Sequence, residues 1–239
     1  MHPEMKRPIF CLLLFFCLHS FAQDIPIAGQ KRIFFPAPME KGWQTSVGFI
    51  ATTLPLEITE EAHFRVPAAD LHLLRNLGGK FYTDIRFNVQ GVQNLATIGP
   101  HWATPLSHRV FLGLGNDVGV WFGRINVGGI KTQGHGFQNY PNLSLGYRFN
   151  KRILLTVRGE AIMNFGVQTT AGNTAVESQY RFLSGSAYSV MLEQPFAGKK
   201  SMTLGFRAMY TDYFWQTWTL FENYDRNLFF PQFIVGLIL

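Results

Sequence analysis

After position 17 the sequence contains no cysteine; its two, Cys11 and Cys17, both lie in an apolar N-terminal run. Small secreted domains that cannot build a large core usually compensate with disulfides, so a disulfide-stapled scaffold is excluded beyond that run. Charge is scarce too. Only 15% of residues are Asp, Glu, Lys or Arg, against roughly 25% in soluble domains. Although 47% of the chain is hydrophobic, no segment past the N-terminal run approaches about 18 consecutive apolar residues, which excludes transmembrane helices. Motifs of common chemistry are missing as well. There is no G-x-S-x-G nucleophile elbow. The one glycine-rich stretch, Gly113-Leu114-Gly115-Asn116-Asp117-Val118-Gly119, has its third glycine one position late for a dinucleotide loop. The basic residues behind the net charge of +6 are scattered, so nucleic-acid binding has no support.

The N-terminus reads as an address. Lys6 and Arg7 precede the run Ile9 to Leu18, and Ser20 and Ala22 supply small residues before a cleavage point. That is the layout of a secretory signal peptide. The run is about half the ~20 residues a spanning helix needs, and Phe15-Phe16 before Cys17 argues against a lipid-attachment site. The expected division is therefore a cleaved leader 1–22, an extended lead-in 23–42 marked by Pro26, Pro36 and Pro38, and one domain 43–239.

Within that domain the apolar residues alternate with period two. Phe81, Thr83, Ile85, Phe87 and Val89 oppose Tyr82, Asp84, Arg86, Asn88 and Gln90. Leu155, Val157, Ala161 and Met163 oppose Thr156, Arg158 and Glu160, and Met202, Leu204, Phe206, Ala208 and Tyr210 oppose Ser201, Thr203, Gly205, Arg207 and Thr211. This is strand spacing, not helix spacing. Ten strands are predicted, near 43–54, 64–75, 80–90, 94–105, 108–125, 138–149, 152–165, 179–194, 201–216 and 229–239. Many exceed the mode of ~5–6 residues for soluble sheets, and their polar faces carry full charges. Short connections alternate with long ones, the exception being 91–93. The fold class expected is all-β, an up-and-down antiparallel transmembrane β-barrel of ten strands, with eight or twelve as neighbouring even counts.

In the last strand Phe233, Val235, Leu237 and Leu239 alternate with Gln232, Ile234, Gly236 and Ile238. It resembles the C-terminal strand by which outer-membrane barrels are recognised for assembly, with Leu239 where Phe is usual. The chain as a whole resembles small bacterial outer-membrane β-barrel proteins. That resemblance implies export to the outer membrane, contact with outer-membrane lipids, and handling by the barrel-assembly machinery. Tyr213, Phe214, Trp215 and Trp218 are expected at the outer head-group zone, and Tyr147 and Phe149 at the inner one.

The inward faces collect the candidate site: Asp70, His72, Asp84, Arg86, Asp117, Arg148, Arg158, Glu160, Arg181, Glu193 and Arg207. Charges in a narrow lumen must pair. They form either a salt-bridge network that plugs the barrel or the lining of a porin-like selective pore, and the size of a ten-stranded barrel favours the plug. On this reading Gly113, Gly115, Asp117, Gly119, Trp121 and Gly123 share the inward face, leaving room for Trp121 and for neighbouring arginines, while Asn116 faces lipid mid-strand without explanation. No catalytic, cofactor or metal site is expected. The rival classes are a receptor or adhesin whose outer loops (Thr169 to Thr174; Tyr224, Asp225 and Arg226) bind an extracellular ligand, and a lipid or peptide hydrolase using rim residues such as His63 or His135 with Glu57, Glu60 and Glu61.

Overall fold

The computed structural model describes residues 31–40, 42–60, 64–127, 129–150, 152–176, 180–197, 200–220 and 225–239. The leader with both cysteines, residues 23–30 of the lead-in, Glu61, His63 and Tyr224 lie outside these. The strands are β1 (Trp43–Thr53), β2 (Arg65–Gly78), β3 (Phe81–Val89), β4 (Gln93–Pro105), β5 (Val110–Val127), β6 (Ile130–Arg148), β7 (Leu154–Ala171), β8 (Thr174–Val176), β9 (Leu183–Pro195), β10 (Ser201–Thr211) and β11 (Leu228–Ile238). A single helical turn, α1 (Leu56–Thr59), follows β1.

Every neighbouring pair is antiparallel, and β11 returns to β1 with Ser46 opposite Ile238 and Thr52 opposite Gln232. The short β8 only extends a hairpin on β7. The result is a closed, up-and-down barrel of ten strands. Alternation sets which way each side chain faces. Phe49, Phe122, Leu143, Val157 and Phe233 stand exposed on the outer wall, while Asp84, Asp117 and Thr203 are buried within. The apolar face is outside, the reverse of a water-soluble barrel, and belongs to a wall that meets lipid.

The outer hairpins are longer than the hydropathy pattern suggested. Residues 130–137 and 166–171, expected to be loop, continue β6 and β7, with Val127 opposite Ile130 and Thr132 opposite Ala171. The reason is local. Gly134 and Gly136 face inward under indole rings: a Cβ at Gly134 would lie 2.7 Å from Trp218 and one at Gly136 2.7 Å from Trp121. With glycine on the inner face and Gln133 and His135 on the outer, the segment has strand backbone without strand amphipathicity.

Two segments outside the wall fill the lumen. At the end where the chain enters β1, Ile33, Phe35, Ala37 and Met39 are buried against Leu74, Tyr82, Ala103, Phe111, Leu154 and Ile238. At the far, hairpin end, Tyr213, Phe214, Trp215 and Trp218 turn inward and join Trp121 and Phe230. This corrects the expectation of a head-group belt for these aromatics: they are 2–7% exposed and occupy the barrel mouth. The inward glycines of β5 make room for these fillers and for a ring from β4. Gly113 faces Pro36, Gly115 the His101 ring and Gly123 Trp218, so the space goes to these rings and not to arginines. Tyr147 and Phe149 do pack edge to face, 4.9 Å between ring centres, with Phe149 exposed on the outer surface.

Replacing Gly136 by valine forces the Trp121 ring aside and should destabilise the barrel by about 1–3 kcal/mol, as overpacked cores do. Gly159→Ala should be near neutral, since its Cβ would meet nothing closer than 3.8 Å. Denaturant titration of vesicle-inserted protein, followed by tryptophan fluorescence, tests the contrast.

Candidate functional site: a charged belt across the lumen

Between the two apolar fillers a ring of polar side chains crosses the barrel. Arg86 on β3 donates through Nε and Nη2 to the carboxylate of Asp70 on β2, at 2.7 and 3.0 Å. His72 Nε2 lies 2.7 Å from Asp84 Oδ1. Asp84 Oδ2 is 3.9 Å from His101 Nε2 on β4, which lies 2.8 Å from Asp117 Oδ1 on β5. The other oxygen of Asp117 accepts from Arg158 Nη2 at 2.7 Å and Asn142 Nδ2 at 3.0 Å. Arg158 Nε is 2.8 Å from Glu160 Oε1, and Glu160 Oε2 accepts a close bond from Arg207 on β10. Arg207 reaches Gln232 on β11 at 3.3 Å, and Gln232 donates to Thr52 on β1 at 2.9 Å.

The belt therefore runs from β2 through β3, β4, β5, β7, β10 and β11 to β1. Four carboxylates face three guanidiniums, with two imidazoles between them. Bidentate and charge-assisted bonds of this kind are the strong ones. Removal from water makes each member dependent on its neighbours. The cavity left between them is about 50 Å³, lined by His72, Asp84, Arg86, Tyr140, Arg158 and Arg207 among others. That is room for about three or four waters.

Of the residues singled out from sequence, Asp70, His72, Asp84, Arg86, Asp117, Arg158, Glu160 and Arg207 meet in this belt. Three lie elsewhere. Glu193 belongs to the lower filler, residues 31–40 at the β1-entry end (the upper one being the aromatics at the hairpin end): its carboxylate accepts the backbone N–H groups of Ile33, Phe34 and Phe35 at 2.6, 3.1 and 2.9 Å. Arg148 donates to the carbonyl of His108, near the short turns. Arg181 sits at the hairpin rim, its side chain 56% exposed, with Asp212 at 2.6 Å. His101 was missed. Its partner strands carry the signal, for it stands opposite Tyr82 and Gly115, and the glycine vacates the space its ring fills. Asn142 and Gln232 are also members that charge alone did not flag.

Asp84, His101 and Asp117 each offer one buried donor atom within 4.8 Å of the others, the compactness a metal ion needs. In the structure Asp84 is bonded to His72, and Asp117 to His101 and Arg158. Of the rim candidates, His135 is exposed on β6 opposite Phe122 and Gln168. Arg226 pairs with Glu57 at 3.3 Å, and Thr169 and Thr170 lie within β7.

A closed barrel with apolar residues outward and ion pairs inward has the architecture of the bacterial outer-membrane β-barrels. No protein-family model matches the sequence, and no curated protein does. Among solved structures the chain is similar to the NanC porin, at 8% identity over 81% of this chain and 98% of that one, TM-score 0.40. It is also similar to an outer membrane channel from Pseudomonas putida F1, at 10% identity over 85% and 97%, TM-score 0.42. A third is the attachment invasion locus protein Ail of Yersinia pestis, at 9% identity over 84% and 98%, TM-score 0.28. These likenesses are distant and concern the fold alone.

Arg158→Met removes the guanidinium that Asp117 and Glu160 share in the lumen and should lower unfolding stability by about 3–5 kcal/mol, the usual cost of breaking a buried pair. Arg226→Met, whose pair with Glu57 is exposed on both sides, should cost less than about 1 kcal/mol. Equal shifts in the two denaturation midpoints would contradict this placement of the charges.

Proposed function

We propose that this chain is an outer-membrane barrel, exported by its leader, whose lumen is closed at rest and conducts only when the segment 31–40 leaves it. One observation carries the reading: an apolar filler at each end, with a charged belt and a cavity of only about 50 Å³ between them. A cavity of that size supports a lumen that holds a few waters and passes no solute. The lower filler is the removable one. It lies N-terminal to the first strand and is bonded to the wall through Glu193, which accepts three of its amides, and through Asn76, which donates to the Met39 carbonyl, whereas the upper filler is tied at both ends to β10 and β11. With that filler gone, the belt and the aromatic filler of the other mouth remain as the constriction, so any current should be small and charge-selective.

A second reading has its own support. β5, β6 and β7 run 18, 19 and 18 residues, well past the ~9–11 needed to cross the hydrocarbon. Their hairpins project beyond the bilayer and offer a surface for an extracellular ligand. The reading assigns no catalysis to the rim.

Planar-bilayer recording separates these roles. The unaltered protein should be silent. Both a variant lacking residues 31–40 and Glu193→Ala should give reproducible small current steps, with folding checked by heat-dependent gel mobility. Steady conduction by the unaltered protein would sink the closed-lumen reading. Folded variants that stay silent would leave the hairpins as the functional surface.

A further inference from the structure

Asn116 stands exposed in the middle of β5, on the wall that faces lipid. Its surroundings are apolar: Leu114 and Val118 beside it are 49% and 45% exposed, and Ile98 and Leu143 nearby 56% and 52%. No hydrogen bond reaches its amide among the described residues. Asn139 on β6 is its diagonal neighbour, since Asn116 pairs with Pro141 and Val118 with Asn139. The Asn139 Oδ1 is buried without a partner. Its Nδ2 finds only the Met163 sulfur at 3.9 Å, a weak acceptor.

The backbone is also interrupted at this height. Between β4 and β5 the pairing lapses from Ile98–Val118 to His101–Gly115, around Pro100. Between β6 and β7 it lapses from Asn139–Met163 to Asn142–Glu160, around Pro141. Proline has no N–H to donate, and in sheets it belongs to edges and bulges. Two adjacent pairs of strands thus carry the Asn116 amide, the unpartnered Asn139 Oδ1 and broken rungs at one depth, in a wall where hydrocarbon offers no hydrogen bond.

We propose that this face, β4 to β7 centred on Asn116 and Asn139, is where two copies of the chain meet side by side in the membrane. The argument for a second copy is chemical and geometric. A primary amide carries both donor and acceptor, so it pairs with another of its kind. A two-fold axis along the membrane normal returns every residue to its own depth, so each patch meets the same patch. Lipid tails offer no hydrogen bond, and head groups lie at the interface, not at mid-wall. The inference rests on the membrane placement proposed above.

The test places the only cysteine of the barrel at Asn116→Cys, in the full chain expressed with its leader in a Gram-negative host. Oxidation of isolated membranes should give a covalent species of twice the monomer mass. Phe206→Cys, exposed on the opposite wall, and the unaltered chain should not. Energy transfer between labelled copies in phosphatidylcholine vesicles supplies a second readout. Asn116→Leu with Asn139→Leu should weaken association about tenfold, the scale of one or two membrane-buried side-chain hydrogen bonds, while heat-dependent gel mobility stays that of a folded barrel. Equal cross-linking from both walls, cross-linking of Asn116→Cys only to a host protein, or unchanged association of the double variant would overturn the proposal. A chain that washes off the membranes in urea would instead overturn the membrane placement itself. An inserted chain that stays monomeric would overturn the dimer alone.

Discussion

The ladder between β1 and β11 is the constraint from which the rest follows. Seven rungs, Ser46–Ile238 to Thr52–Gln232, join the first strand to the last. Without them β1 and β11 would each present a row of unpaired amides and carbonyls. In hydrocarbon such an edge has no water to turn to. Closure removes the edge, and it also fixes parity: with every strand paired on both sides, each side chain points either to lipid or to the lumen. Phe206 goes out and Arg207 goes in because the backbone leaves no third direction.

A narrow lumen then dictates its own filling. Ten strands enclose more than side chains from the wall can pack and less than a water channel needs. The remaining space is taken by chain from outside the wall. Each filler is apolar where it meets an apolar ring of the wall, and the charges are left to the middle. Glu193 shows the local cost of this arrangement. Its buried carboxylate has to be matched by donors, and three consecutive backbone N–H groups of the lower filler provide them. Phe34 in turn sets its edge on the His72 ring at 4.9 Å and lies 5.3 Å beneath the Arg86 guanidinium. The filler and the belt are therefore in contact.

Parity was the part of this arrangement legible in the residues. Asp84 and Arg86, or Arg158 and Glu160, sit two apart on strands whose intervening residues are apolar, so their inward direction could be read directly. Three things could not. His101 lies on a strand interrupted by Gly99 and Pro100, where alternation is blurred. Residues 130–137 have polar or glycine positions on both faces, and only pairing with β5 reveals the strand. The aromatics 213–218 carry no period, so their amphipathic rings pointed to the head-group zone when packing against Trp121 had in fact drawn them inward. Tertiary space, not local pattern, decided each case. Arg181 errs in the opposite sense: it has an acidic partner, but beyond the last rung of its strand, on the rim.

The belt and the interrupted rungs also occupy the same height, and the two are related. The β4–β5 ladder lapses between Ile98–Val118 and His101–Gly115, and there His101 bonds Asp117 across the same two strands. The β6–β7 ladder lapses between Asn139–Met163 and Asn142–Glu160, and there Asn142 and Arg158 share one oxygen of Asp117, joining β6 and β7 through β5. Side-chain cross-links on the inner face thus span the gaps that proline opens in the backbone. The close approach at Gly99 fits this, since a Cβ there would lie 2.5 Å from Asp117 Oδ1. A wall with prolines at mid-height holds its shape because charged side chains behind it do part of the work of the missing rungs. The belt is thus a structural member of the wall, and a barrel that discarded these charges would lose these cross-links along with them.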